Sequence, residues 1–416
     1  MIRTHIFACH LPQAEADSLN RESGRVYTQT VVWHYRTYRH TGHWLSQYGA
    51  MRLGDAMSNT TLHAHSRDAA QEAFYKACKT AKANRSAGAH YPHRLKKFRT
   101  TIWKNTGIRL RESNLLLARS RGLAPISVAL PAHLVELPAA AFLEMRLVYE
   151  RATGAYAWHA VIEDGTVPAA APGSNVAAVD LGEIHPAAAT DGTEAVVFTA
   201  RQLRSVRQYT NKRLAELRSK QAHLAKRSRR WRKLQRRKSR FLAQQQRRAR
   251  DIEHKVSRAV VDWAVERAVG TLALGDVRDV ADGKRLNTKS QQKIGNWSHG
   301  KLRSYIEYKA QAAGIATELV DEHHTSQTCP QCGQRHKPQG RVYRCPSCGF
   351  VGHRDAVGAA NILSRCTTGE VGKVLPPQVK YRYPFDATGK RSPVDTGQVA
   401  SMAARSCAAT EEAAAL

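Results

Sequence analysis

The sequence predicts an α/β protein of more than one domain, and three observations predict it. In the second half, short apolar runs alternate with helical text, as in "NVAAVDLGEIHPAAATDG" from residue 175, the pattern of a sheet with helices packed on it. In the first half, a short, β-rich and strongly basic stretch occupies residues 93–131. Between the halves, "VPAAAPGS" at residues 167–174 reads as a Pro/Ala/Gly linker and a domain boundary. A length of 416 residues suits two or three domains, and 42% hydrophobic content is enough for buried cores.

Taken in order, residues 25–33, "RVYTQTVVW", alternate like a strand. Helical text follows, broken at Gly42 and Gly49, and alanines mixed with Leu62, Ala69, Ala73 and Phe74 predict helices between residues 59 and 83. In the basic stretch, Phe98 and Trp103 lie among cations. A small barrel or sheet of this kind grips a phosphate backbone and stacks bases, with Lys96, Lys97, Arg99 and Trp103 as candidates. Both aromatics also suit a core. Residues 142–164 read as a hairpin with Gly154 in the turn.

After the linker comes a buried strand, then Asp180-Leu181-Gly182, then a second strand. Residues 201–250 are helical text with twenty basic residues and one acid. Leu214, Leu217, Leu224, Trp231, Leu234, Phe241 and Leu242 allow an apolar stripe. The expectation is a hairpin of basic helices laying a positive face along a nucleic acid, with Arg229, Arg230, Trp231, Arg232, Lys233, Arg236 and Arg237 as candidate contacts. An amphipathic helix at 253–269 leads into "TLALGDVRDV", a short buried strand from Thr271. A helix at 299–314 ends at Gly314, as a helix C-terminus often does, and the strand "IATELVDE" follows. Beyond Arg365 the composition decays into Thr, Gly, Pro and Ala, which predicts a disordered tail. No internal repeat is visible.

The charge narrows the function. Sixty-five basic against 34 acidic residues leave +31, and a chain this basic binds polyanions, nucleic acid first among them. The N-terminus lacks the apolar core of a signal peptide, and no run approaches the roughly 18 apolar residues of a membrane span. Eight cysteines, unevenly placed, do not make a disulfide scaffold. Cys9, Cys78, Cys366 and Cys407 are scattered, ordinary thiols.

The other four form a metal motif. Cys329-x-x-Cys332 and Cys345-x-x-Cys348 are two knuckles, each with a proline inside and a glycine after. Such a pair closes one tetrahedral Zn2+ site, a zinc ribbon. Four sulfurs leave no open position, so the zinc is structural. His324, His336 and His353 are nearby but not needed as ligands. Two carboxylates stand in settings suited to a divalent metal. Asp180 ends a buried strand beside a flexible turn, and Asp355 opens a helix rich in small residues, "GHRDAVGAANIL". Alone, each is also an ordinary turn or helix-start residue.

"HTSQTCPQCG…YRCPSCGFVGHRDAVGAANIL", with "AAVDLG", the basic helical insert and "HKVSRAVVDWA" in order, resembles the TnpB (OrfB) family of IS200/IS605- and IS607-type transposons, relatives of the compact type V CRISPR effectors. The resemblance spans residues 26–365, with its specific motif at the C-terminal end. It implies an RNA-guided DNA endonuclease, with a transposon-derived guide RNA and a double-stranded target flanked by a short motif. The implied fold is a β-barrel wedge domain at 1–170 with a helical recognition insert at about 40–90. A ribonuclease-H-like (RuvC-like) nuclease domain would follow at 174–365, holding the basic insert 201–250 and the zinc ribbon 326–352. Residues 366–416 are left as tail. A monomer with its RNA, cytoplasmic and nucleoid-associated in a prokaryote, is the expected setting.

Such nucleases hold two Mg2+ between carboxylates. Carried over, Asp180 and Asp355 are the first and last ligands, and the second is a glutamate at the end of the fourth core strand. Here that position is Gly275. Three readings stay open. The site is dead, leaving an RNA-guided binder or repressor. Asp276 substitutes, although a one-residue shift turns a strand side chain to the other face. Or the acid comes from the fifth strand, whose end carries Asp321-Glu322; Glu322 is long enough to reach the space a glycine leaves, and some family members show a relocated glutamate. The third reading is preferred. A strand-joining transposase lacks a nucleophilic Tyr or Ser in a recognisable setting. His254 and Arg354 are further candidates for support of the site.

Overall fold

The computed structural model describes residues 2–57, 60–278 and 287–384. The predicted positions Asn59 and Cys407, and the tail from 385 on, lie outside the described residues. The chain divides into two compact units, the first ending at Val167 and the second beginning at Pro168.

The first unit runs β1 (Ile2–Ala8), α1 (Gln13–Thr41), α2 (Gln47–Asp55), α3 (Ala64–Ala83), β2 (Thr101–Lys104), β3 (Ile108–Arg111), β4 (Asn114–Leu117), β5 (Ile126–Ala129), the single turn α4 (Ala132–Val135), β6 (Phe142–Glu150) and β7 (Ala155–Glu163). The expected hairpin at 142–164 is β6–β7, with Gly154 at φ 77° in its turn. The strands form a four-stranded sheet, β1-β7-β6-β2, and a three-stranded sheet, β3-β4-β5. They share a core of Trp103, Leu115, Leu117, Phe142, Met145 and Trp158. Among the described residues the strands thus pair as two sheets around one core.

Residues 25–33 are helix, where a strand was expected. The buried positions of α1, including Leu19, Ser23, Val26, Tyr27, Thr30, Val31 and His34, recur every three or four residues. That period spans 29 residues, and a short β-branched alternation inside it does not outweigh it. Thr30 turns its hydroxyl back onto the Val26 carbonyl at 2.9 Å, which satisfies it within the helix. Helix in this unit therefore starts at Gln13.

The second unit continues with β8 (Asn175–Asp180), β9 (Ala187–Thr190), β10 (Ala195–Phe198), α5 (Arg201–Ala222), α6 (Arg229–Glu266), β11 (Val269–Asp276), α7 (Thr288–Asn296), α8 (His299–Ala312), β12 (Ala316–Asp321), β13 (Val342–Arg344), β14 (Val351–His353), α9 (Arg354–Thr368) and β15 (Val379–Arg382). Its sheet has the order β12-β11-β8-β9-β10-β15. β8, β9 and β10 are an antiparallel meander, while β11 and β12 add in parallel beside β8. Alternation sends side chains to two covered faces. Ala177, Val179, Leu272 and Leu274 pack with Val256, Val260, Leu302 and Ile306 of α6 and α8. Ala178, Ala273 and Val320 pack on the other face against Ile362 and Leu363 of α9.

The basic insert is two helices: α5, and the first part of α6, which runs on without a break into the amphipathic helix; α5 packs antiparallel to α6, with Gln221 bonded to Gln235 and Lys238 and Tyr209 against Phe241. The tail expectation is corrected for the described residues. α9 runs to Thr368, and residues 379–382 add a parallel edge strand beside β10. In Val-Lys-Tyr-Arg two β-prone residues alternate with two cations, which suits a sheet edge that bulk composition does not reveal. Among the described residues, no helix is long and apolar enough to cross a membrane.

Candidate nuclease-type metal site

Asp180 is the last residue of β8, on the face that carries Ala178 towards α9. It has space only because α9 is glycine at 358. A Cβ there would strike Asp180 Oδ2 and lie 3.1 Å from its Cγ. Burial, then the negative charge of Asp355, push the Asp180 carboxyl up to about 7, with Arg354 pulling the other way.

The parallel register sets Gly275 beside Val320 and Asp276 beside Asp321. Glu322 comes one residue after β12 and shares the face of Val320, and so the α9 face. Its carboxylate leans over Gly275: a Cβ at 275 would fall inside it, 2.6 Å from Cδ and 2.8 Å from Cγ. Burial, then Asp180, Asp276 and Asp321, push Glu322 up to about 9. Its Oε1 is enclosed without a hydrogen-bond partner.

The rival acids are engaged elsewhere. Asp276 sits on the Leu272–Leu274 face, held by Arg278 at 2.8 Å and Arg303 at 3.6 Å, and these partners, Arg278 foremost, keep its carboxyl below the usual range. Asp321 is exposed and paired with Arg365 at 3.1 Å.

Asp355 lies in the first turn of α9, and Arg341 Nη1 donates to its Oδ2 at 2.9 Å. Asp180 is electrostatically coupled to both Asp355 and Glu322. The three carboxylates do not close into one tight cluster. Asp355 instead groups with His185 and His353, their ligand atoms within 4.8 Å of one another. Burial, outweighing the pull of Asp355, drives His185 down to about 4, and burial also lowers His353. Arg354 lies close enough to act on Asp180. His254 stacks on Tyr305 at 4.1 Å, and its carbonyl accepts from Lys309 Nζ at 2.6 Å, a packing role on α6.

His185, Arg341, Gly358 and Asn361 are not singled out by the sequence alone. Asn361 is fully buried and donates to the carbonyls of Thr325 and Thr328 at 2.7 and 2.8 Å. Thr325 in turn donates to the Glu322 carbonyl through its amide and hydroxyl at 3.1 and 3.0 Å. Asn361 therefore pins the turn that carries Glu322. The signal was a lone asparagine in the apolar text "AANIL", where an uncompensated amide is costly.

The four cysteine sulfurs lie within 4.8 Å of one another, with Cys329–Cys348 and Cys332–Cys345 at 3.6 Å. Zn–S bonds of about 2.3 Å place tetrahedral sulfurs about 3.8 Å apart, so the cluster fits one Zn2+. Gly333 and Gly349 hold positive φ of 72° and 74° where each knuckle turns.

Of the nucleic-acid candidates, Arg229, Arg230, Arg232, Lys233, Arg236 and Arg237 are exposed on the first turns of α6, with Trp231 half-buried among them. Lys96 and Lys97 are exposed; Lys96 Nζ and the Arg99 guanidinium each lie 4.7 Å from the Tyr27 ring, and Arg99 is half-buried. Trp103 is a correction. It is 1% exposed, donates from Nε1 to the Ala118 carbonyl at 2.8 Å and packs 5.8 Å from Trp158, so no base can stack on it. The exposed aromatic of that stretch is Phe98.

Two family models match this chain. One, described as a probable transposase of the OrfB_IS605 type, covers residues 159–281. The other, described as a Cas12f1-like TNB domain, covers residues 299–362. A TnpB-like protein of Methanocaldococcus jannaschii is 31% identical over 31% of this chain and 46% of its own length. The CRISPR-associated endodeoxyribonuclease Cas12f1 of Sulfoacidibacillus thermotolerans is 32% identical over 26% of this chain and 25% of its own. A TnpB-like protein of Acidianus two-tailed virus is 30% identical over 49% and 45%. The chain thus spans less than half the length of the curated relatives it matches. A solved structure described as a Cas12f1-sgRNA-target DNA complex superposes with a TM-score of 0.55 at 13% identity, covering 85% of this chain and 83% of that one. That likeness establishes a shared mixed α/β fold.

Proposed function

As a member of the TnpB family, this chain, we propose, is an RNA-guided DNA endonuclease that cuts double-stranded target DNA beside a short flanking motif. The meander of β8, β9 and β10, with β11 and β12 parallel beside it, supports a ribonuclease-H-like (RuvC-like) nuclease domain. The observation that carries the reading is the Glu322 carboxylate over Gly275, on the face of the sheet that also bears Asp180. The lost acid of the fourth strand is supplied from the fifth.

The donor set fits divalent metal. Asp180 and Glu322 are enclosed carboxylates whose charge burial and mutual repulsion disfavour, and Glu322 Oε1 has no hydrogen-bond partner. Mg2+ held by Asp180, Glu322 and Asp355 would activate a water and stabilise the leaving oxygen in phosphodiester hydrolysis. Arg341 orients Asp355, Gly358 admits Asp180, and Asn361 fixes the turn behind Glu322. The exposed cations of α6 and of residues 96–97 serve the backbones of guide RNA and target DNA. The ribbon zinc is structural.

The test is to sequence RNA that copurifies with the protein, then present a matching target beside a randomised flank with Mg2+. The expected result is cleavage next to one enriched flank. Target binding with no cleavage would instead establish a nuclease-deficient RNA-guided binder.

A further inference from the structure

A cavity of about 450 Å³ opens between the start of α5, the turn after β8 and the segment that leads into β13, and its walls are Ile184, Arg201, Arg204, Ser205, Gln208 and Arg341. Three guanidinium groups therefore line one space. The neighbouring acid is Glu183, whose Oε1 lies 3.8 Å from Arg204 Nε, too far for a hydrogen bond, and that Nε is enclosed without a partner. Two arginines in the opening turn of α5 are also electrostatically out of place. This end of the helix is the positive end of its dipole, its first turn holds no acid, and Ala200 at the cap position offers no side-chain acceptor. Arg201 and Arg204 add charge to that end, an arrangement that an anion relieves. Arg341 connects the cavity to the acids. Its Nη1 donates to Asp355 Oδ2 at 2.9 Å, and a guanidinium carries five N–H groups in a planar fork, so one side chain both holds Asp355 and lines the cavity.

We propose that this cavity holds a phosphate of the DNA strand being cut, next to the scissile one, and that Arg201 and Arg204 are substrate-positioning residues. Arginine forks match phosphate oxygens in pairs. The volume suits a nucleotide unit rather than a bare anion. None of the lining residues is aromatic, so no base stacks there and the contact is to the backbone. Such a contact carries no sequence information, which suits a nuclease whose sequence reading is delegated to base pairing. Asp355 remains a ligand of the metal site with Asp180 and Glu322. Arg341, between Asp355 and the cavity, sets the bound phosphate one step along the strand from the metal ions. Held there, the strand keeps its scissile phosphate from swinging out of the site, the kind of positioning on which phosphodiester hydrolysis depends. That the strand is the one cut rests on the nuclease reading; that a phosphodiester binds rests on these three arginines.

The first arm of the test is a footprint. Phenylglyoxal, which modifies accessible arginine, is applied to the full-length protein with its copurified RNA in Ca2+, before and after a short single-stranded DNA is added, and the labelled positions are mapped by mass spectrometry. Arg201 and Arg204 should label before the DNA is added and be protected after it. No protection by DNA would overturn the proposal, and protection already present beforehand would give the cavity to the guide RNA and overturn it too. The second arm replaces each phosphate near the cut in a matching target, one at a time, by a neutral methylphosphonate. At one position beside the scissile phosphate the neutral link should slow cleavage in Mg2+ about tenfold or more, with target binding unchanged. Arg201→Gln/Arg204→Gln should slow cleavage of the native target by a similar factor and lose nothing further on the modified one. Losses that multiply, as a merely structural role would give, or cleavage by the variant at the wild-type rate, would overturn the proposal. Thermal melting confirms that the variant folds; if it does not, the wild-type footprint decides. Protection in a protein that cuts no DNA would fail the nuclease reading and leave the phosphate site standing, and cutting without protection would do the opposite.

Discussion

The Glu322 carboxylate occupies the volume that any side chain at residue 275 would claim, so Gly275 and Glu322 form one unit on two neighbouring parallel strands. An acid at 275 and an acid at 322 exclude each other. Glu322→Gln should lower DNA cleavage by about 10²–10³-fold, the range for removing one charge-stabilising group, while target binding survives. Gly275→Ala should cut poorly with Glu322 intact, because its Cβ displaces the carboxylate. The double variant Gly275→Glu/Glu322→Ala should recover part of the activity. Recovery no better than in Glu322→Ala alone would show that the two positions are not equivalent.

Gly358 sets helix propensity against site geometry. Within an exposed helix, Gly→Ala gains about 1 kcal/mol. Here the added methyl meets Asp180 Oδ2, and helix and strand must part or Asp180 must turn away. Gly358→Ala is therefore expected to lower the melting temperature and to reduce cleavage. A more stable, fully active variant would mean that Asp180 does not stand where α9 confines it.

The mixed α/β fold and the cysteine cluster were legible in the sequence, and the misses have physical causes. The four cysteines announce themselves through local spacing, whereas Asp180 and Asp355 stand out only through the family motifs around them. The facing of Glu322 follows from strand alternation only with the parallel pairing of β11 and β12 in hand, which the structure supplies. His185 was not legible: it lies 168 residues from His353, and only the closure of the sheet under α9 joins them. Residues 25–33 misled because seven β-branched or aromatic residues among nine sit inside a 29-residue helical period. Trp103 misled because neighbouring cations say nothing of which way a strand side chain points.

The two raised carboxyls give stability a pH dependence. In protein without added divalent ion, Glu322 holds its proton up to about 9 in the fold, against a reference near 4.5 in the unfolded chain. Asp180 shifts the same way. Between those limits the folded state binds more protons than the unfolded one, so stability is greatest at the acid end and falls as pH rises. Each group contributes a slope of up to about 1.4 kcal/mol per pH unit. Divalent ion, which favours the ionised carboxylates, should flatten the slope. Urea denaturation at several pH values checks this. A Glu322→Gln variant with the slope of the wild type would refute it.

The α6 cations and Trp103 should respond to substitution in opposite ways. Arg232 and Arg236 are exposed four residues apart on one helix, so Arg232→Glu/Arg236→Glu should leave the melting temperature nearly unchanged. The slope of log affinity for RNA against log salt should then fall by about one for each phosphate that the helix no longer neutralises. Trp103→Ala should do the reverse. The ring is enclosed beside Trp158 with its Nε1 bonded to Ala118, so its removal should cost about 3–5 kcal/mol of stability. The salt slope of the protein that remains folded should not move, because a residue enclosed in the core releases no counterion. A salt slope unaltered by the α6 double reversal would place the nucleic acid on another face.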